Sequence, residues 1–140
     1  MNKVAELDML AQENDIEIIE IKAEKCPSLS VMTESGNCYV GIDSRKMTLA
    51  EETVCMAHEI GHCQTGAFYN KYAKCDLISK NERKADIWAI QNLVKKTELK
   101  YAMEQGKTQI WELAEYFGVT EDFMRKVCCY YGFLEYEQVG

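Results

Sequence analysis

The spacing of apolar residues divides the chain into short helices and strands. Residues 3–13 place Leu7, Leu10 and other apolar side chains at helical intervals, which predicts a first helix. The stretch IEIIEIK then alternates isoleucines with acidic residues, and SLSVMT and NCYVGID alternate in a similar way. Ser35 and Gly36 separate the last two stretches and are typical of a hairpin turn. The pattern therefore predicts three short strands, two of which form a hairpin.

The remainder of the pattern is helical. The stretch MTLAEETVCMAHEIGHCQTG opens with Thr48 and Glu51 as a capping box and closes at Gly66, so we expect a helix over about residues 49–65. AFYNKYAKCDLI has little periodicity and predicts a loop, whereas SKNERKADIWAIQNLVKK predicts a helix that ends in basic residues. The last third predicts two helices joined by a Gly-Val-Thr turn, which is a helix-turn-helix-like hairpin over residues 108–131.

These elements predict one α+β domain over residues 1–140. We expect a small three-stranded sheet, antiparallel or mixed, packed against the helix that contains HEIGH and against further helices. No internal repeat, low-complexity tract or linker divides the sequence, and 140 residues are enough for a single hydrophobic core. The C-terminal hairpin is expected to be part of the same domain.

Composition and charge exclude several classes of protein. The chain is 47% hydrophobic and 28% charged, which is typical of a folded globular protein. It has no signal-peptide pattern at its start and no segment near the roughly 18 apolar residues of a membrane span, so we expect a cytoplasmic protein. The net charge of −7 disfavours direct contact with nucleic acid, although residues 63–107 carry nine basic against five acidic side chains.

The seven cysteines are expected to be mostly reduced thiols. Their number is odd and their spacing does not repeat, which argues against a disulfide framework in a cytoplasmic protein. Cys63 directly follows His62 and is expected to be buried without a chemical role.

Both histidines of the chain lie in the motif HEIGH. On a helix, His58 and His62 are one turn apart and project from the same face, so their imidazoles can reach one metal ion. Glu59 is the candidate catalytic base, because a glutamate beside such an ion can take a proton from the attacking water. The alternative is an ordinary helix that contains the motif by chance. Since no histidine lies elsewhere in the sequence, we favour the metal site.

A catalytic zinc takes a third protein ligand, and two kinds of residue are poor candidates for it. A third histidine in the pattern HExxHxxGxxH is excluded, because Thr65 and Phe68 occupy the glycine and histidine positions. Cys26 offers a thiolate upstream of the motif, but the glycine-rich segment that accompanies a cysteine ligand in deformylases is missing.

A carboxylate on the next helix is the better candidate. Glu82 lies twenty residues after His62, and Asp86 follows one turn later on the same helix face. Glu82 would bind the metal, while Asp86 would accept the outer N–H of His58 and fix its tautomer. The alternative is that Ser79 and Glu82 form only a capping box and that Asp86 lies on a solvated face.

Zinc is the expected ion, although two imidazoles and a carboxylate also accept Mn²⁺ or Fe²⁺. A metallopeptidase further needs a donor for the tetrahedral oxyanion, and Tyr69 and Tyr72 follow the histidine motif closely. Tyr72 is the preferred candidate, with packing or surface exposure as the alternative. The hairpin at residues 29–42 could also leave a free strand edge that holds an extended substrate.

MAHEIGH followed by NERKADIWAIQNLV resembles the ImmA/IrrE family of bacterial and phage metallopeptidases, and is similar to the wider gluzincin pattern. The resemblance implies a minimal zincin-like core, with His58, His62 and Glu82 as zinc ligands and Glu59 as catalytic base. It also implies a biological setting. Family members are typically encoded beside a helix-turn-helix repressor, often on a prophage, and relieve repression by cleaving or inactivating that repressor.

The sequence thus predicts a zinc-dependent metallo-endopeptidase whose substrate is a protein, with a helix-turn-helix repressor as the expected partner. One alternative is a binding module of the same fold that sequesters the repressor without cutting it. Another is a DNA-binding regulator with a structural zinc. The second helix of the predicted hairpin disfavours that reading, because Glu121 and Asp122 lie where it would enter the DNA groove.

Overall fold

The computed structural model describes residues 2–69 and 72–133, and over these residues the chain has the α+β fold expected from its sequence. One helix precedes a small sheet and the other helices follow it. The strands are β1 (Ile16–Glu20), β2 (Ser28–Met32) and β3 (Cys38–Ile42). The α-helices are α1 (Lys3–Glu13), α2 (Leu49–Thr65), α3 (Cys75–Leu93), α4 (Lys96–Glu104), α5 (Ile110–Phe117) and α6 (Glu121–Tyr131). None of the helices within these ranges is both long and apolar enough to cross a bilayer.

The sheet is mixed and has the strand order β1-β3-β2. β3 pairs in parallel with β1 and antiparallel with β2, so the predicted hairpin of the last two strands is confirmed. Val40 lies at the centre of the sheet, opposite Ile18 of β1 and Ser30 of β2. Val40 and Ile42 are buried in the core beneath the helices, whereas β2 forms one edge of the sheet.

Helix α2 has the bounds that its caps predict. Thr48 and Glu51 form both hydrogen bonds of a capping box at its start. At its end Gly66 adopts a left-handed conformation with φ 67°, which a residue without a Cβ adopts at little cost, and its N–H bonds to the His62 carbonyl. The chain therefore turns sharply after the second histidine of HEIGH.

Helices α2 and α3 approach each other closely because Gly61 has no side chain. A Cβ built on Gly61 would lie 2.7 Å from the carbonyl oxygen of Ala85, well inside normal contact distance. Ala85 is itself fully buried at this crossing, and Ala57 and Ala89 are fully buried along the same two helices. Small residues thus bring the α3 backbone to the helix face that carries the histidines.

Two predictions about the helices are wrong. α3 begins at Cys75, with Lys74 as N-cap, so part of the expected loop is helical and Ser79 lies inside the helix rather than at its start. The alternative of a Ser79 capping box is therefore excluded. α4 has no counterpart among the expected helices; it is short and buries only Leu99 and Ala102, too few apolar positions to give a clear helical period.

The C-terminal hairpin consists of α5 and α6, joined at Gly118 as expected. Hydrogen bonds that involve two tyrosines of α6 connect it to α3 and to Val94, the C-cap of α3. The Tyr131 hydroxyl donates to the Val94 carbonyl oxygen at 2.7 Å, and Gln91 donates to the Tyr130 hydroxyl at 2.9 Å. These contacts hold α6 alongside α3.

A disulfide joins Cys38 at the start of β3 to Cys63 in α2, with a Cα–Cα distance of 6.0 Å. The prediction of reduced thiols is therefore wrong for this pair. Sequence spacing carries no sign of the bond, because the pairing of β3 with its neighbours and the packing of α2 on the sheet bring the two residues together. Cys63 points towards the sheet and thereby links the histidine helix to the central strand.

We expect Gly61→Ala to destabilise the protein by about 1–2 kcal/mol in urea unfolding. The new methyl group must push the Ala85 backbone away, and this cost exceeds the gain of about 1 kcal/mol in helix propensity. Gln64→Ala on the exposed side of the same helix is the control and should stay within about 0.5 kcal/mol of the parent. Equal stability of the Gly61 variant and the control would contradict the close contact.

We expect Cys38→Ser to lower the free energy of unfolding by about 3 kcal/mol in the absence of reductant, because the bond closes a loop with a sequence separation of 25. Most of this difference should vanish when both proteins are unfolded in dithiothreitol. Cys75→Ser, at an exposed cysteine, serves as control. A parent protein whose stability does not respond to dithiothreitol would argue against the bond.

Candidate metal centre

The two histidines, Glu59 and the two predicted α3 carboxylates meet in one region of the molecule. α2 supplies the histidines and Glu59, and α3 supplies Glu82 and Asp86. A cleft runs along this region, with β2 on one side and the turn after α2 on the other. Its walls are formed by Cys26, Ser28, Leu29, Ser30, His58, Glu59, His62, Ala67, Phe68, Tyr69 and Glu82.

His58, His62 and Glu82 point their donor atoms at one another. Their ligand atoms all lie within 4.8 Å of each other, and they are the group found among the described residues that could hold a metal ion. The two Nε2 atoms are 3.2 Å apart. The Glu82 carboxylate lies 2.7 Å from Nε2 of His58 and 3.1 Å from Nε2 of His62. Cys26 lines the cleft but is not a member of this group.

The outer nitrogen of each imidazole is engaged by an acceptor. Nδ1 of His62 lies 2.6 Å from the Ala67 carbonyl oxygen, which can only accept, so this nitrogen carries the proton. Nδ1 of His58 lies 2.8 Å from Oδ1 of Asp86. Both neutral rings in this tautomer direct an Nε2 lone pair into the same space as a carboxylate. In this tautomer the three lone-pair donors would repel one another without a cation between them.

The distance between the two imidazole nitrogens also suits a tetrahedral ion. Two nitrogens that each lie about 2.0–2.1 Å from a tetrahedral zinc are about 3.3–3.4 Å apart, close to the 3.2 Å between the two Nε2 atoms here. A set of two imidazoles and one carboxylate is typical of catalytic zinc and leaves one position open. The residues present therefore fit a divalent ion, and the donor types accept Zn²⁺, Mn²⁺ or Fe²⁺.

Opposing effects set the pKa values of the charged groups. Burial lowers the pKa of His58, but the hydrogen bond and charge of Asp86 and the charge of Glu82 outweigh it, so the pKa is raised overall. Burial raises the pKa of both carboxyl groups, yet Tyr69 and the imidazoles leave that of Glu82 below its usual value, and His58 and Lys126 do the same for Asp86. The carboxylates thus keep negative charge where a cation would bind.

Glu59 faces the cleft and is held by two serine hydroxyls from β2. Ser28 Oγ donates to Oε2 of Glu59 and Ser30 Oγ donates to Oε1, each at 2.8 Å. The Glu59 residue is only 8% exposed. Neither serine is among the site residues predicted from the sequence. The available signal was the alternation in SLSVMT, which puts both hydroxyls on one face of the strand.

Tyr69 contacts the site directly, and its hydroxyl donates to Oε1 of Glu82 at 2.8 Å. This hydrogen bond to a carboxylate, together with burial, raises the pKa of Tyr69 to about 12, so the phenol stays protonated. Tyr72, the tyrosine preferred from the sequence, is 82% exposed in the segment that leads to α3. Of the two phenols, that of Tyr69 is the one that lines the cleft.

The sequence profile of the IrrE N-terminal-like domain, a peptidase family, matches residues 11–127. The chain belongs to this family. The match covers the sheet, the histidine helix and most of the C-terminal hairpin, and it confirms the resemblance to ImmA/IrrE metallopeptidases. Membership supports a metal-dependent peptidase as the kind of protein. No curated protein and no solved structure gave a match.

We expect Glu82→Ala to lower the zinc affinity of this IrrE-like protein by more than about 100-fold. Loss of an outer partner of a ligand typically costs 10- to 100-fold, and loss of the ligand itself should cost more. Competition of the apoprotein with a fluorescent chelator would measure the affinity. Glu115→Ala, an exposed glutamate of α5, is the control, and an unchanged affinity in the Glu82 variant would exclude Glu82 as a ligand.

Proposed function

We propose that this IrrE-like protein is a zinc-dependent metallo-endopeptidase. His58, His62 and Glu82 hold the metal and Glu59 is the general base. The observation that carries this proposal is the convergence of two Nε2 atoms and a carboxylate in the same cleft that presents a buried, oriented Glu59. A structural metal site would have no need of that glutamate.

The chemistry follows from what each side chain can accept or donate. When bound, the ion polarises the substrate carbonyl and favours ionisation of water. Glu59 takes the proton from the attacking water and passes it to the nitrogen of the leaving amine. An ionised carboxylate has about four lone-pair sites, and Ser28 and Ser30 use two of them. The serines thus orient the base and leave it able to accept that proton.

The remaining contacts position the site. Asp86 keeps Nδ1 of His58 protonated, and the Ala67 carbonyl does the same for His62, so both rings present Nε2. For the donor that stabilises the developing oxyanion we choose Tyr69 over Tyr72. Its protonated hydroxyl lies at the cleft, and its single proton, now donated to Glu82, would turn to the oxyanion when a substrate binds.

The edge of the sheet supplies a place for an extended polypeptide. Among the described strands, β2 pairs with β3 alone, so its other edge can form backbone hydrogen bonds with a substrate. Leu29 of β2 lies in the wall of the cleft and is 43% exposed, as is fitting for a contact with a substrate side chain. Backbone pairing along a strand suits an internal peptide bond of a protein.

We further propose that the protein acts in the cytoplasm and that its substrate is a helix-turn-helix repressor of a prophage or another mobile element. This part of the proposal rests on the resemblance to ImmA/IrrE peptidases and not on the geometry of the cleft. The acidic character of the chain, with a net charge of −7, agrees with a partner whose DNA-binding surface is basic.

We expect Glu59→Gln to reduce the rate of peptide hydrolysis by about 10²- to 10⁴-fold, because the amide cannot take the proton from water. Zinc content should stay the same, since Glu59 is not among the ligands. The substrates are the helix-turn-helix repressor encoded nearest to the gene and unfolded casein, and cleavage is followed by mass spectrometry. Glu115→Gln, on the exposed side of α5, should keep full activity.

The possible results separate the proposals. Loss of cleavage of both substrates in the Glu59 variant supports the peptidase and its base. Cleavage of casein but not of the repressor by the parent protein rejects the repressor as substrate. Release of repression by the Glu59 variant without any cleavage rejects the peptidase and favours the alternative in which the fold only sequesters the repressor.

A further inference from the structure

A second groove adjoins the metal centre on the side away from β2. It lies between α3 and α6, with Ile87 and Ile90 among its apolar residues and Tyr130 and Lys126 on the α6 side. Glu82 forms part of the wall of both this groove and the metal-site cleft. A ligand in the groove would therefore lie beside the proposed zinc ligand.

The acidic side chains of the groove already have partners. Glu82 bonds to His58 and to Tyr69. Asp86 uses one oxygen for His58 and the other for Lys126, whose Nζ lies 3.2 Å away. Lys126 therefore compensates the charge of Asp86, and a divalent ion held by the two histidines and Glu82 would compensate that of Glu82.

Arg83 is the cation that these contacts leave available. It lines the groove next to Glu82 and is exposed. Within residues 2–69 and 72–133, no carboxylate pairs with it. Its guanidinium offers a planar pair of N–H donors that matches a carboxylate. The Lys126 ammonium on the opposite side is 58% exposed and has donors to spare beyond its bond to Asp86.

We propose that this groove is a substrate subsite that binds a carboxylate through Arg83, with Lys126 as the second cation. The inference rests on the proposed peptidase function, which it deepens by naming a class of substrate: polypeptides with a carboxylate close to the scissile bond. The partly exposed Ile87 would contact the aliphatic part of the same side chain.

The carboxylate has two sources in a polypeptide. It is either an Asp or Glu side chain near the cut or the free C-terminus of the substrate. Both place the same group against Arg83, but they predict different cleavage patterns: the first an acidic residue at a fixed distance from the cut, the second cuts at a fixed distance from the chain end.

The test is cleavage of a proteome-derived peptide library by the zinc-loaded protein, with the products sequenced by mass spectrometry. We expect about fivefold enrichment of Asp and Glu at one position near the cut, or a constant distance from the C-terminus that is lost when C-termini are amidated. Arg83→Gln should abolish the enrichment, and Arg83→Glu should replace it by a preference for Lys and Arg.

Arg125→Gln is the matched control, because Arg125 lies on α6 and pairs with Asp122 of its own helix. It should keep the parent preference. A second readout avoids catalysis: a peptide that the parent cleaves, fluorescently labelled, should bind the Glu59→Gln protein about fivefold more tightly than the same peptide with that side-chain or C-terminal carboxylate replaced by an amide. Adding Arg83→Gln should remove that difference.

The outcomes distinguish failure of the peptidase function from failure of the carboxylate subsite. If the parent protein cleaves no member of the library, the peptidase proposal itself fails. If it cleaves the library without any preference for a carboxylate, or with a preference that Arg83→Gln leaves intact, the peptidase stands and the carboxylate subsite is overturned.

Discussion

The close contact between α2 and α3 at Gly61 and Ala85 is the constraint on which the site depends. Gly61 lies between His58 and His62 in the sequence of α2, and Ala85 lies between Glu82 and Asp86 in that of α3. Any side chain at Gly61 would separate the two backbones at that point. The absence of a single methyl group thus allows a carboxylate from one helix to reach the imidazoles of the other.

Around this contact, Glu59, His58 and Glu82 are each held by a partner from another part of the chain. β2 holds Glu59 through two serines, α3 holds His58 through Asp86, and the Tyr69 hydroxyl holds Glu82. No single element defines the centre. Because hydrogen bonds to charged groups in a cleft are both strong and directional, this arrangement fixes the orientation of the donors before any ligand arrives.

The part of the site that follows helical spacing could be predicted from the sequence. The intervals from His58 to His62 and from Glu82 to Asp86 each equal one helical turn, so the faces they share follow from the geometry of a helix. The capping box of α2 and the turn at Gly36 are local signals as well, and both strands and helix appeared where they were expected.

The features that could not be predicted depend on contacts between residues that are far apart in the sequence. In the sequence, Ser28 and Ser30 look like the polar positions of a half-exposed strand. Their role becomes visible only in the fold, which puts β2 beside Glu59. The bond between Cys38 and Cys63 requires the packing of α2 on the sheet. The start of α3 at Cys75 lies in a sequence of weak periodicity, where tertiary contacts decide whether the chain is helical.

The two histidines have hydrogen-bond acceptors at very different distances along the chain. His62 finds its acceptor in Ala67, five residues along the chain, so its orientation needs only the end of its own helix. His58 finds its acceptor in Asp86, 28 residues away, and this contact requires a much longer loop to close. The orientation of His62 therefore depends on a local contact, and that of His58 on a long-range contact. One imidazole can be oriented as soon as α2 and the turn after it form, and the other only when the tertiary structure is complete.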